Sequence, residues 1–206
     1  MNQMSKIKIL LMSLLITGCS IEILPSHSDT DMSDKYGQMV GKFSEDSILI
    51  DKKATTPGVI NLEEINYKQL LLINKRSKYT WVMLTAPWCA ECSFELGNIS
   101  NKMSSLKKDS IDLVLVYTNY DIKHIQKELF KIGYTNQAYI LNAKEYSSNE
   151  SEKINRFNNQ VLESSKCKKT LSPGSVPQNF FFSSGKITTC RSGGKIDVDS
   201  VKYYLK

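Results

Sequence analysis

Apolar positions recur along this chain in two spacings, and the switch between them marks out strands and helices. Trp81 to Ala86 is a compact apolar strand, after which Leu96, Ile99, Met103 and Leu106 return every three or four residues and predict one amphipathic helix. Ile111 to Thr118 is apolar on both faces and predicts a central strand. Ile122, Ile125, Leu129 and Ile132 restore the helical spacing, with Asp121 as cap and Gly133 as stop. Ala138 to Leu141 predicts a further strand, and Ile154, Phe157, Val161 and Leu162 a further helix. Gln178 to Phe182 turns at Ser183-Ser184-Gly185 into Lys186 to Cys190 as a hairpin, and a short helix covers Val198 to Leu205. Near the start, Ile48 to Ile50 and Val59-Ile60 are strand candidates around a Thr55-Thr56-Pro57-Gly58 turn. Asn61-Leu62-Glu63-Glu64 has the form of a capping box that opens a helix through Ile73. The alternation predicts an α/β class, with a mixed sheet covered by helices on both faces.

One apolar run does not fit this scheme. Ile9 to Ile16 follows Lys6 and Lys8, is too short to span a bilayer, and has the form of a signal-peptide core. It ends in Ile16-Thr17-Gly18-Cys19, which resembles the lipobox of bacterial lipoproteins. That resemblance implies a signal peptide over 1–18, a lipidated Cys19, and an anchor in a bacterial envelope membrane. Ser20 at the next position resembles the outer-membrane sorting pattern. From Ser20 to about Gly41 the chain is polar and aperiodic, the composition of a tether, so a folded domain is expected over 43–206 after a tether over 19–42.

Composition narrows the partners. Of 206 residues, 27 are Lys or Arg and 21 Asp or Glu, and the net charge of +6 is scattered with no basic block. Nucleic acid is therefore not an expected partner. Setting Cys19 aside, the five cysteines leave Cys89, Cys92, Cys167 and Cys190, an even number that permits two disulfides in an oxidising compartment. The spacing of Cys89 and Cys92 identifies them as one pair.

Trp88-Cys89-Ala90-Glu91-Cys92 falls where a strand ends and a helix begins. A helix N-terminus presents unpaired N–H groups and partial positive charge, which stabilise a thiolate at Cys89 and make it the nucleophile. Cys92, one turn on, is placed to resolve a mixed disulfide. A zinc site needs a second ligand pair, and His27 and His124 are remote in sequence, so no metal or other cofactor is expected. Glu91 beside Cys89 disfavours the thiolate and argues against a strongly oxidising protein.

These residues resemble thioredoxin-fold proteins, and within them the TlpA/ResA-like membrane-anchored thiol-disulfide oxidoreductases. The local match runs from Ala86 to Glu95, with Trp88 before the first cysteine and Glu95 three residues after the second; the distal match is Val176-Pro177, a strand, then Gly185-Lys186. The strand and helix around Ala138 to Leu162 resemble the insertion of this group. The resemblance implies a cis Pro177 against the disulfide, a Val176 backbone offered to substrate, a shielding Trp88, and Glu95 as proton handler. It also implies reduction of substrate disulfides in cytochrome c maturation or envelope assembly, with thiol or disulfide proteins as substrates and a membrane redox partner. An oxidase or isomerase, or a non-enzymatic binding module, are the competing readings. Ala90-Glu91 and Gly97 depart from the family pattern, and Met83 stands where cytoplasmic thioredoxins carry a buried aspartate. For Cys167 and Cys190, a structural disulfide pinning the Pro177 loop would contribute on the order of 3 kcal/mol; a second redox pair or free thiols are the alternatives.

Overall fold

The computed structural model describes residues 39–43, 61–165, 167, 170–193 and 195–205. Its strands are β1 (Gly41–Lys42), β2 (Leu62–Ile65), β3 (Tyr79–Thr85), β4 (Ile111–Tyr117), β5 (Ala138–Leu141), β6 (Gln178–Ser183) and β7 (Lys186–Ser192). The helices are α1 (Tyr67–Asn74), α2 (Ala90–Ser100), α3 (Met103–Lys108), α4 (Ile122–Lys131), α5 (Ala143–Tyr146), α6 (Glu150–Ser164) and α7 (Val201–Tyr204), the last preceded by a 3₁₀ turn at Val198–Ser200. The sheet order is β1-β2-β5-β4-β3-β6-β7. The run from β1 to β3 is parallel, and β6 and β7 are antiparallel.

Alternation along the central strands sends side chains to two separate cores. Trp81, Met83, Leu113, Leu115 and Phe181 pack with Cys89, Cys92, Leu96, Ile99, Ile125 and Val201 on one face. Val82, Leu84, Val114, Val116, Phe180 and Phe182 pack with Leu70, Ile73, Phe157, Val161, Cys167 and Cys190 on the other. The prediction of a mixed sheet with helices on both faces thus holds, and the two cysteine pairs lie on opposite faces.

Most of the predicted elements appear within a residue or two of their expected ends, and the departures are local. Asn61-Leu62-Glu63-Glu64 does not cap a helix: Leu62–Ile65 is β2, hydrogen-bonded between β1 and β5. Sheet pairing on both sides outweighs a local capping preference. The capping box forms one turn later, where Asn66 and Gln69 exchange side-chain and backbone bonds. The helix expected through Leu106 is broken into α2 and α3 at Asn101-Lys102, after Gly97, Asn98 and Ser100, all weak helix formers. The last helix begins as a 3₁₀ turn. Periodicity gave no sign of the four-residue α5, which Asn142 caps. Gly41–Lys42, placed at the end of the tether, joins the sheet as its edge. The hairpin turn has Ser184 at φ 50° and Gly185 at φ 76°, the doubly positive φ of a two-residue turn that matches the twist of its strands. The strand candidates at Ile48 to Ile50 and Val59-Ile60, together with the leader and Cys19, lie outside the described residues.

Candidate functional site

The site is built at the carboxyl end of β3, which lies between parallel β4 and antiparallel β6. Its chain leaves the sheet at Ala86-Pro87-Trp88 and enters α2 with Cys89 as N-cap, at extended φ −84° and ψ 108°. The Cys92 N–H donates to Cys89 Sγ at 3.1 Å, so one orphan donor of the helix start is aimed at the sulfur. Cys89 and Cys92 are joined as a disulfide with Cα atoms 5.2 Å apart. Cys89 keeps 6% of its surface exposed and Cys92 none, so Cys89 is the less buried of the two.

Facing the disulfide is the loop before β6. The Val176-Pro177 peptide bond is cis, and the Val176 carbonyl oxygen lies 3.7 Å from Cys89 Sγ. The Gly193 N–H donates to the Pro177 carbonyl at 2.8 Å, tying this loop to the end of β7. The same loop is held from its far side by the Cys167–Cys190 disulfide, whose Cα atoms are 5.6 Å apart. Cys190 stands opposite Phe180 in the β6–β7 ladder, and Thr170, three residues past Cys167, accepts from the Ser192 N–H at 3.1 Å.

Glu95 shares the buried side of α2 with Cys92, three residues on. It is 1% exposed, and neither carboxylate oxygen has a partner at hydrogen-bonding geometry. Burial raises its pKa from the ordinary 4.5 to about 7; the Asn179 amide and the Ile196 N–H oppose that rise, Glu91 adds to it, and Arg191 opposes it from a distance. A carboxyl poised near neutrality can take or give a proton at working pH.

Trp88 projects from the surface, 62% exposed, and its indole N–H donates to both Glu150 oxygens at 3.0 and 3.1 Å. Glu150 also accepts from the Thr118 hydroxyl, and the buried Lys153 one turn along α6 donates to the Thr118 carbonyl at 2.9 Å. The inserted helix is thus fastened to the tryptophan beside the disulfide. Val176 is half-buried against both cores.

The structure brings Trp88, Cys89, Cys92, Glu95, Val176 and Pro177 into one place, and sets Cys167 and Cys190 apart on the other face. Sequence reasoning missed Trp81, Asn179 and Glu150. A signal existed for Asn179, a polar residue in the predicted strand Gln178 to Phe182, two positions past Pro177. Glu150 carried no signal, because its partner is 62 residues away in sequence. Among the described residues, no group of three or more His, Cys, Asp or Glu side chains is placed to hold a metal ion.

A CxxC disulfide at a strand-to-helix junction, facing a cis-proline loop on a doubly covered mixed sheet, defines a thioredoxin-like fold. No protein-family model matches the sequence, and no curated protein matches it. Solved structures similar to the chain include StoA from Bacillus subtilis, at 13% identity over 63% of this chain and 84% of that one, with a TM-score of 0.41. A thioredoxin-family thiol:disulfide interchange protein from Chlorobium tepidum TLS shares 14% identity over 64% of this chain and 79% of its own, with a TM-score of 0.46. A secreted Mycobacterium tuberculosis disulfide oxidoreductase homologous to E. coli DsbE shares 14% over 62% and 80%, with a TM-score of 0.42. At such identity function does not transfer with the fold, and the residues of this chain have to carry it.

Proposed function

We propose that this protein is an enzyme, a thiol-disulfide oxidoreductase that reduces disulfides in protein substrates through Cys89 and Cys92. The observation that carries the reading is the arrangement at the start of α2: an N-cap sulfur that accepts a backbone N–H, a fully buried second sulfur, and a buried carboxyl one turn below it. In the reduced protein the helix N-terminus stabilises the Cys89 thiolate. The thiolate attacks one substrate sulfur, forming a mixed disulfide and releasing the other as a thiolate that takes a proton from water. Cys92 then gives its proton to Glu95, and its thiolate attacks Cys89 Sγ. The Cys89–Cys92 bond forms, the mixed bond breaks, and the second substrate thiolate leaves; two electrons have passed from the dithiol to the substrate. Pro177 shapes the entrance, and the Val176 backbone beside it receives the substrate chain. Glu91, two residues past Cys89 in the first turn of α2, disfavours the thiolate and supports reduction over oxidation as the direction.

In this reading the chain is exported, cleaved before Cys19, lipidated there, and held at a bacterial envelope membrane, where a membrane redox partner returns electrons to the disulfide. The sequence of the leader supports this, and its residues lie outside those described. Among the described residues no helix is long and apolar enough to cross a membrane. Substrates in cytochrome c maturation or envelope assembly fit the same reading.

The test is exchange between the reduced full chain and a model protein disulfide. Cys92→Ser should accumulate a mixed disulfide at Cys89, read by mass, and Cys89→Ser should abolish turnover; exchange that survives in Cys89→Ser sinks the proposal. A Cys89–Cys92 potential near about −270 mV or below supports a reductase, whereas one near about −120 mV reverses the direction.

A further inference from the structure

Beneath the disulfide, buried polar groups meet on the face of the sheet that α2 covers. Trp81 of β3 and Asn179 of β6 are both wholly buried, and the Trp81 indole N–H donates to Asn179 Oδ1 at 2.8 Å. An indole nitrogen is only ever a donor, so the atom it meets must be the Asn179 carbonyl oxygen, and the amide cannot be turned over. The ring is held in turn by stacking on Phe181, with centroids 5.7 Å apart. This leaves the Asn179 NH₂ with a fixed direction. It has no other partner, and it lies on the sheet face that α2 covers, since Met83 opposite it and Phe181 two residues on both pack with Cys92 and Leu96; the two Glu95 oxygens buried on that same side of α2 are likewise without a partner at bonding geometry. Met83, paired with Asn179 across the ladder, brings no polar atom of its own to compete.

We propose that Trp81 and Asn179 are positioning residues for Glu95, a two-step relay in which the indole locks the amide so that its N–H donor stabilises the ionised carboxylate beneath Cys92. The inference rests on the oxidoreductase reading for its use but not for its geometry. Burial alone drives Glu95 toward its neutral form, and a neutral acid is no proton acceptor for Cys92. An amide donor fixed in place offsets part of that cost without adding a charge that would hold the carboxylate permanently ionised. The other groups facing Glu95 are Glu91 on its own helix, which disfavours the anion, the Ile196 N–H from the loop before the 3₁₀ turn, and Arg191 from β7, which favours it. Arg191 is itself engaged by Tyr204, lying 5.2 Å over its ring and donating to its hydroxyl, so its charge is shared. The amide is thus the one neutral side-chain donor of this set, and the one whose direction is imposed from outside.

The experiment is a ¹³C titration of the glutamate carboxyls in the oxidised full chain, with the Glu95 resonance assigned by its loss in Glu95→Gln. Wild type should titrate near neutrality. Asn179→Leu, close in shape and without the donor, should move the Glu95 midpoint up by about one pH unit while the other glutamates stay in place. Trp81→Phe, which keeps an aromatic ring and frees the amide to turn, should move it the same way by less. Should Asn179→Leu not fold, Trp81→Phe decides by itself. In a Glu95→Gln background, Asn179→Leu should no longer alter the pH profile of disulfide exchange. A Glu95 midpoint unmoved or lowered in the folded variants overturns the relay. That readout needs no substrate, so it stands apart from the fate of Cys89→Ser, which tests the enzyme.

Discussion

The two disulfides are almost equally buried: Cys89 and Cys92 are 6% and 0% exposed, Cys167 and Cys190 6% and 2%. They differ in what surrounds them. Cys89–Cys92 sits on a helix N-terminus, with a backbone N–H on one sulfur, the Val176 carbonyl opposite, and a buried carboxyl of raised pKa beneath. Cys167–Cys190 lies in the other core, packed with Phe157, Val161, Phe180 and Phe182, and bridges a loop to the middle of β7. Burial therefore does not separate the disulfide we propose to be reactive from the one we propose to be structural. The helix-start N–H at Cys89 and the Glu95 carboxyl of raised pKa make the distinction, and both come with α2. Loop length points the same way: a bridge over 23 residues restrains the unfolded chain by about 3 kcal/mol, one over 3 residues by about 2 kcal/mol.

The sharpest way to break this contrast is to delete each pair in turn. Cys89→Ala with Cys92→Ala should lower exchange with a protein disulfide on the order of 10³-fold or more. Cys167→Ala with Cys190→Ala should keep that chemistry and lose about 3 kcal/mol of stability by denaturant midpoint. If the second variant loses exchange while still folded, the division of labour between the faces is wrong.

A smaller effect isolates the carboxyl that only one disulfide has. Because the Glu95 pKa is raised from 4.5 to about 7, the native state holds a proton that the unfolded chain releases in that window. Stability from this group is full below pH 4.5, falls as pH rises, and is lost above about 7. The loss amounts to roughly 3 kcal/mol. Glu95→Gln should flatten this part of the stability–pH curve and make the variant the more stable protein at pH 8, as measured by urea unfolding across pH. An unchanged slope would mean that Glu95 is ionised at pH 5. The smallest effect concerns the tether of Trp88: Glu150→Ala should cost about 0.5 to 1 kcal/mol and lower the steady-state anisotropy of Trp88.

Much of this contrast was legible along the chain. The strand-to-helix step at Trp88-Cys89 and the positions of Cys92, Glu95 and Pro177 are local patterns, readable because each is set by residues within one turn of its neighbours. The doubly apolar run Ile111 to Thr118 likewise announced a central strand covered on both faces. The capping form at Asn61 to Glu64 misled because it too is local, while the β2 pairing with Ala138 to Leu141 that overrides it is not.

What the sequence by itself determined is the class of fold, the pair of cysteines at a helix start, and a carboxyl spaced to share their side of the helix. Only the tertiary structure decided that Glu95 is buried under Asn179, that Trp81 holds that amide from 98 residues away, that Glu150 reaches Trp88 from the inserted helix, and that the two disulfides face opposite cores. The reason is physical: spacing along a helix or strand sets which side a residue takes, but the dielectric and the donors it meets there come from segments that only sheet order brings together.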